Sequence, residues 1–353
     1  MSIAELARPE IRALRPYEAA VQVDDTIRLN ANEAPRTGTA DRFRRPLNRY
    51  PEIRPQRLRS ALAARYGCRP EELLVTRGSS EAIDLLMRAF CRAGLDSVVT
   101  TAPTFSMYRH YAAVQGAAVR EVATARETGF ALDVGALLAA CDDSTRLIFV
   151  CSPNNPTGNL VPAATLTELL EKRGDRSAIV VDEAYIEFAD APSAVERLSH
   201  YPNLLVLRTL SKALAFAGAR CGAVIGRAEV VALLDAIQAP YALATPVVEC
   251  VENALDGEDH AAARDWLREI VVERQRVAAE LERFRSVRRV WPSAANFLLV
   301  EVADAPDLMR RCSDDKVLLR YFGGELADCV RITIGSPAEN RRLLDCFTAL
   351  EAS

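Results

Sequence analysis

Five polar clusters, each placed directly after an apolar run or between two glycines, hold the side chains in this sequence that could do chemistry. A lysine beside two hydroxyls, Arg208-Thr209-Leu210-Ser211-Lys212, follows Leu204-Leu205-Val206-Leu207, and Arg220 lies between the glycines of Gly218-Ala219-Arg220-Cys221-Gly222. Val180-Val181 runs into Asp182-Glu183-Ala184-Tyr185, and Leu147–Val150 is soon followed by Ser152-Pro153-Asn154-Asn155-Pro156-Thr157-Gly158. The fifth, Thr76-Arg77-Gly78-Ser79-Ser80-Glu81, joins a short strand to a helix, where free N–H groups and the helix dipole favour an anion. Taken singly, each has a plainer reading: a capping box, an Asn-Pro-Gly turn, a helix-capping aspartate, a solvent-facing lysine or a surface arginine.

Together they suit a phosphorylated aromatic aldehyde held as a Schiff base, pyridoxal 5'-phosphate. Lys212 is the amine that joins the aldehyde, and Asp182 keeps the pyridine nitrogen protonated through a charge-assisted bond. Asn155 and Tyr185 donate to the phenolic oxygen. Arg220, Ser211, Thr209 and the helix start at Gly78, Ser79 and Ser80 hold the phosphate.

Side chains so far apart in sequence need a sheet that lines them up, since ligands collect at the carboxyl ends of strands in open α/β folds. Short runs without polar alternation fit strands buried on both faces: Leu73–Thr76, Ser97–Thr100, Val119–Val122, Leu147–Val150, Ile179–Val181 and Leu204–Leu207. Helical stretches fall between most of them, including Gln56–Tyr66, Ser80–Arg92 behind a Ser cap, Phe105–Gln115 and Ala163–Glu171. The expected fold class is α/β, with a mainly parallel central sheet between helices and a smaller α+β domain. The expected division is an N-terminal arm over 1–40 that joins the small domain, a large cofactor-binding domain over 41–240 and a small domain over 241–353. In the last part, helical sequence from Pro246 to Phe284 precedes strand-like Phe297–Val300, Val317–Arg320 and Val330–Ile334.

Composition narrows the partners. Of 353 residues, 44 are Lys or Arg and 48 Asp or Glu, a net charge of −4 that argues against nucleic acid or an anionic membrane. No apolar run is long enough to span a bilayer, and the first residues lack an apolar signal core. Nine scattered cysteines without Cys-x-x-Cys, and three isolated histidines, predict a reducing, cytoplasmic setting without a metal centre. No Gly-x-Gly-x-x-Gly follows the first strand, which sets aside a nicotinamide-dependent enzyme.

The sequence resembles the fold type I pyridoxal-phosphate enzymes of the aspartate aminotransferase group and, within them, the histidinol-phosphate aminotransferase family of class II. The matching segments include Arg15-Pro16-Tyr17, Leu29-Asn30-Ala31-Asn32-Glu33, Asn48-Arg49-Tyr50-Pro51, Cys151–Gly158, Asp182–Tyr185, Arg208–Lys212, Ala239-Pro240-Tyr241, Leu319–Phe322 and Arg331-Ile332-Thr333-Ile334-Gly335. The resemblance implies transfer of an amino group between histidinol phosphate (imidazole acetol phosphate) and glutamate or 2-oxoglutarate, in histidine biosynthesis. It further implies that Tyr108 stacks on the cofactor ring and that Tyr50 reaches the cofactor phosphate of a neighbouring subunit, making a homodimer with shared active sites. Arg331, helped by Arg320, is the implied clamp for the substrate's anionic group; Tyr17, Asn32 and Tyr241 are implied substrate-pocket residues. Ser80 and Ala34 depart from the usual family pattern. The alternatives are a related enzyme of the same fold acting on an aromatic or other amino acid, or a decarboxylase in a specialised pathway.

Overall fold

The computed structural model describes residues 2–15, 30–37, 41–257 and 260–351, the side chains of 260–264 excepted. Seven strands form the larger sheet: β1 (Leu73–Thr76), β2 (Ser97–Ala102), β3 (Ala118–Ala123), β4 (Thr145–Cys151), β5 (Ala178–Asp182), β6 (Leu204–Thr209) and β7 (Gly222–Ile225). Their order across the sheet is β1-β7-β6-β5-β4-β2-β3. All neighbouring pairs from β3 to β6 run parallel, whereas β7 is antiparallel to both β6 and β1. This is the mainly parallel α/β sheet the apolar runs call for, except that β3, at the sheet's edge and carrying Arg120 and Glu121, is exposed or half-buried rather than buried on both faces. β7 escapes the sequence pattern because it is four residues long, opens on a glycine and follows a tight turn.

Alternate residues of the central strands feed two separate cores, as the two-residue period of a strand requires. Ile179, Val181 and Val206 face one core, with Leu58 and Leu62 of the helix Gln56–Tyr66. Val180, Leu205 and Leu207 face the other, with Leu85 and Leu86 of the helix Ser79–Phe90. That helix starts one residue earlier than its sequence suggests, and its cap is Gly78 at φ +76° rather than a serine.

Four antiparallel strands make the second sheet: β8 (Val287–Val290), β9 (Phe297–Val302), β10 (Arg320–Gly323) and β11 (Leu326–Thr333), ordered β10-β11-β9-β8. The helices His260–Leu281, Ala305–Asp314 and Pro337–Glu351 close over it through Val277, Leu308, Leu343 and Phe347. The expected strand at Val317–Arg320 begins only at Arg320, because the β10–β11 hairpin pairs Arg320 with Arg331 and leaves Val317–Leu319 outside any ladder. The helical stretch from Pro246 is two helices, and the first, Thr245–Asp256, packs Val248 and Val251 into the core of the larger sheet. Cys250 on this helix is exposed, whereas the other eight cysteines, all free, are buried or half-buried.

The two sheets meet through apolar and polar contacts alike, with Tyr185 and Phe188 after β5 lying in the core of the second sheet. Arg126, just past β3, forms a two-pronged bond to Asp328 of β11, at 2.9 and 2.7 Å. Among the described residues no helix is long and apolar enough to cross a membrane.

Candidate active site

The polar clusters converge on one cleft of about 660 Å³. Its floor is the carboxyl ends of β4, β5 and β6, which bring Asn155, Asp182, Tyr185, Thr209, Ser211 and Lys212 together; its far wall is the β10–β11 hairpin, carrying Arg320, Phe322 and Arg331.

Asp182, the last residue of β5, is 2 % exposed. Its Oδ2 accepts from the Tyr108 hydroxyl at 2.8 Å and its Oδ1 from the Ala184 N–H at 3.2 Å. Burial pushes its carboxyl up to about 6, with the Tyr108 bond, the Ala184 N–H and the Lys212 charge pulling the other way. Burial likewise lowers Lys212, reinforced by the positive charges of Arg331 and Arg220 and opposed by Asp182. The Lys212 Nζ lies 5.7 Å from the centre of the Tyr185 ring.

Asn155 links the two walls: its Nδ2 donates to the Tyr185 hydroxyl at 3.5 Å, and its Oδ1 accepts from Arg331 Nη1. Arg331 is half-buried among aromatic faces, 5.2 Å from Phe297 and 5.7 Å from Phe322. Its buried Nε has no hydrogen-bond partner among the described residues. The hairpin register sets Arg320 directly opposite Arg331, so two guanidinium groups share the cleft.

An anion cradle lies at the other end. Ser79 and Ser80 begin a helix of twelve residues and line the cleft. Arg220, held at φ +54°, donates to Ser211 Oγ at 3.2 Å and to the Ala217 carbonyl at 3.1 Å. A Cβ on Gly78 would meet the Arg220 Nη2 at 2.6 Å, and a Cβ on Gly222 would meet the Gly78 Cα at 2.9 Å. Glycine at both positions lets two loops and a guanidinium close on one point. The capping-box reading survives in part: Glu81 folds back to accept from the Arg77 N–H at 2.6 Å, away from the cleft.

Comparison with known proteins fits this arrangement. The sequence model of the aminotransferase class I and II family matches residues 25–347. The chain belongs to that family. It is 42% identical to a histidinol-phosphate aminotransferase of Xylella fastidiosa (strain 9a5c), over 99% of this chain and 98% of that one. The solved histidinol-phosphate aminotransferase from Sinorhizobium meliloti, in complex with pyridoxal-5'-phosphate, has a TM-score of 0.76 at 26% identity and covers 86% of this chain and 84% of its own. The enzyme of that name from Clostridium acetobutylicum has the same fold, with a TM-score of 0.79 at 23% identity, covering 87% and 91% of the two chains.

The aminotransferase's cleft has the chemistry to receive pyridoxal phosphate. Of its lining side chains, Asp182 is the single acid against Lys212, Arg109, Arg220, Arg320 and Arg331. A phosphate would find the helix start and Arg220, while a cationic ring nitrogen would relieve the burial cost of Asp182.

Four expectations need correction or fall elsewhere. Tyr108 does not stand on the cleft wall: its ring is fully buried and stacked on Phe149, at 4.7 Å between centres, and its hydroxyl is spent on Asp182. Phe105, one helical turn earlier and set edge-on to Tyr108, lines the cleft instead. Asn32 and Tyr241 are not among the residues lining the cleft. Asn32 is exposed at φ +54° beside Glu33, whose carboxylate takes the Tyr50 N–H and the Arg49 guanidinium, while Tyr241 stacks on Tyr50 at 4.6 Å. Tyr17 lies outside the described residues. Sequence reasoning also passed over Thr104, Phe105 and Ser106, although they follow β2 as the other clusters follow their strands. It missed Arg109 and Phe322, which no strand-end rule would find.

Proposed function

We propose that this aminotransferase moves an amino group between histidinol phosphate (imidazole acetol phosphate) and glutamate or 2-oxoglutarate, as a step of histidine biosynthesis in the cytoplasm. The observation that carries the reading is a buried carboxylate, a desolvated lysine and two anion-gripping ends in one cleft. The printed names of the full-length relatives support the substrate pair.

In this reading Lys212 holds the cofactor aldehyde, Asp182 the ring nitrogen, and Asn155 and Tyr185 the phenolic oxygen. Arg220, Thr209, Ser211 and the Gly78–Ser80 helix start hold the phosphate, and Phe105 covers the ring face in place of Tyr108. When bound, pyridoxal phosphate supplies an aldehyde that accepts the amino group and a cationic ring that withdraws electrons from the substrate α-carbon. The chain's part is placement and proton traffic. Lys212, its amine lowered by burial, carries the proton at the substrate α-carbon. Tyr185, its phenol kept protonated by burial, remains a donor. Arg331 and Arg320 offer paired donors that suit a phosphate from one substrate and a carboxylate from the other. Tyr50, stacked on Tyr241 and half exposed, is assigned to the cleft of a second subunit in a homodimer. The working division is an arm over 1–40, whose Ile3, Ala7 and Ile11 pack on the larger sheet rather than the small domain, a cofactor domain over 41–240 and a small domain over 241–353, less the helix Thr245–Asp256, which packs on the larger sheet.

The test is a coupled assay with glutamate and imidazole acetol phosphate. Wild type is expected to form 2-oxoglutarate and histidinol phosphate one for one, and Lys212→Ala to lose at least about a hundredfold in kcat, the scale of a missing general base. Turnover only with aromatic keto acids, or release of carbon dioxide instead of a keto acid, would overturn the substrate assignment.

A further inference from the structure

Behind the cleft floor lies a cluster of buried charges that touches none of the reacting groups. Arg208 of β6 is 6 % exposed and points to the opposite face of the sheet from its neighbour Thr209. Its Nη1 reaches Glu183 Oε2 at 3.3 Å and Ser193 Oγ at 3.2 Å, and its Nη2 donates to Glu187 Oε1 at 2.6 Å. The Tyr66 ring packs 4.5 Å from the guanidinium carbon. Glu183 in turn takes the Ser193 hydroxyl at 2.5 Å and the Ala194 N–H at 2.6 Å.

Each charged member stands within two residues of a residue of the cleft. Glu183 follows Asp182, Glu187 stands two residues after Tyr185, and Arg208 starts the stretch that ends at Lys212. The cluster therefore braces the end of β6, with its amine, against the turn after β5, with its carboxylate and phenol. Stability alone does not account for it. Buried ion clusters can often be replaced by apolar residues at no loss, and this one leaves Arg208 Nε, Glu187 Oε2 and the Tyr66 hydroxyl without a partner among the described residues. What such a fork does well is fix distance and direction.

We propose that Arg208, clamped between Glu183 and Glu187, is a positioning residue that sets the spacing of Lys212 from Asp182 and Tyr185. This rests on the proposed pyridoxal-phosphate site, and it concerns residues outside that site.

Two variants test it. Ser193→Ala removes a neutral link to both Glu183 and Arg208 without leaving a charge alone. The triple variant Glu183→Leu, Glu187→Leu, Arg208→Met removes all the charge at similar volume. Each is titrated with pyridoxal phosphate, and the pH midpoint of the bound cofactor's visible band is followed beside the melting temperature. The expected result for the triple variant is melting near wild type with a cofactor Kd raised about tenfold, the effect of one lost charge-assisted bond, and a displaced midpoint. Ser193→Ala is expected to move both in the same direction by less. A purely structural cluster would shift melting alone; unchanged Kd and midpoint in both variants overturn the proposal. Should the triple variant not fold, Ser193→Ala decides by the same two readouts. Failure of wild type itself to bind pyridoxal phosphate would instead overturn the proposed function, and this inference with it.

Discussion

A carboxyl as deeply buried as Asp182 is held in place by the fold at some cost until a cation arrives. Its affinity for a proton rises from the ordinary 3.8 to about 6, so in cofactor-free protein its ionised form is disfavoured. Because the folded value is the higher one, this group's contribution to stability is complete below about pH 4 and is lost as pH rises through 6. The cofactor-free variant Asp182→Asn should therefore match wild type near pH 4 and exceed it by about 3 kcal/mol at pH 7.5, measured by urea unfolding at each pH. With pyridoxal phosphate present the order should reverse. An equal gap at both pH values would show that the carboxyl is not the group responsible. The sequence marked Asp182 from its place after Val180-Val181, but the depth of Tyr108 beneath it was not readable. A Thr-Phe-Ser-Met-Tyr segment offers two rings, and only packing decides that Phe105 takes the cleft while Tyr108 goes under the carboxylate.

Among elements, the ends of β4, β5 and β6 were legible because each contains an unbroken apolar run, Leu147–Val150, Ile179–Val181 and Leu204–Leu207, that stops shortly before polar residues. β7 was not, and neither was the brace of Arg208 on Glu183, since both depend on which strands become neighbours. The junction of β1 with the helix Ser79–Phe90 shows how narrow the tolerance is. Gly78 combines a left-handed φ with the guanidinium of Arg220 at the place a side chain would occupy. Gly78→Ala should cost about 1 to 2 kcal/mol in thermal or urea unfolding, through the backbone conformation alone. It should also weaken cofactor binding by pushing Arg220 aside. A variant that kept wild-type cofactor affinity would mean that Arg220 does not meet the phosphate.

For the whole molecule, Tyr50, Tyr241 and Asn32 were drawn together by motif, yet they are not among the residues lining the cleft of this chain. One chain's sequence lists residues for a site without saying which copy completes it. If each cleft borrows Tyr50 from the other subunit, mixing Lys212→Ala with Tyr50→Ala chains after reversible dissociation should restore activity. Half of the randomly paired dimers would then hold one intact cleft, giving about a quarter of the wild-type rate. No recovery would place Tyr50 outside the shared site. The same helix whose Glu249 takes the backbone N–H groups of Arg44 and Arg45, in the segment that leads to Tyr50, also carries Cys250, the one exposed thiol among nine. A maleimide dye should thus react first at one known point, ahead of the half-buried Cys68 and Cys141, and two colours on two preparations would let energy transfer follow subunit exchange in real time.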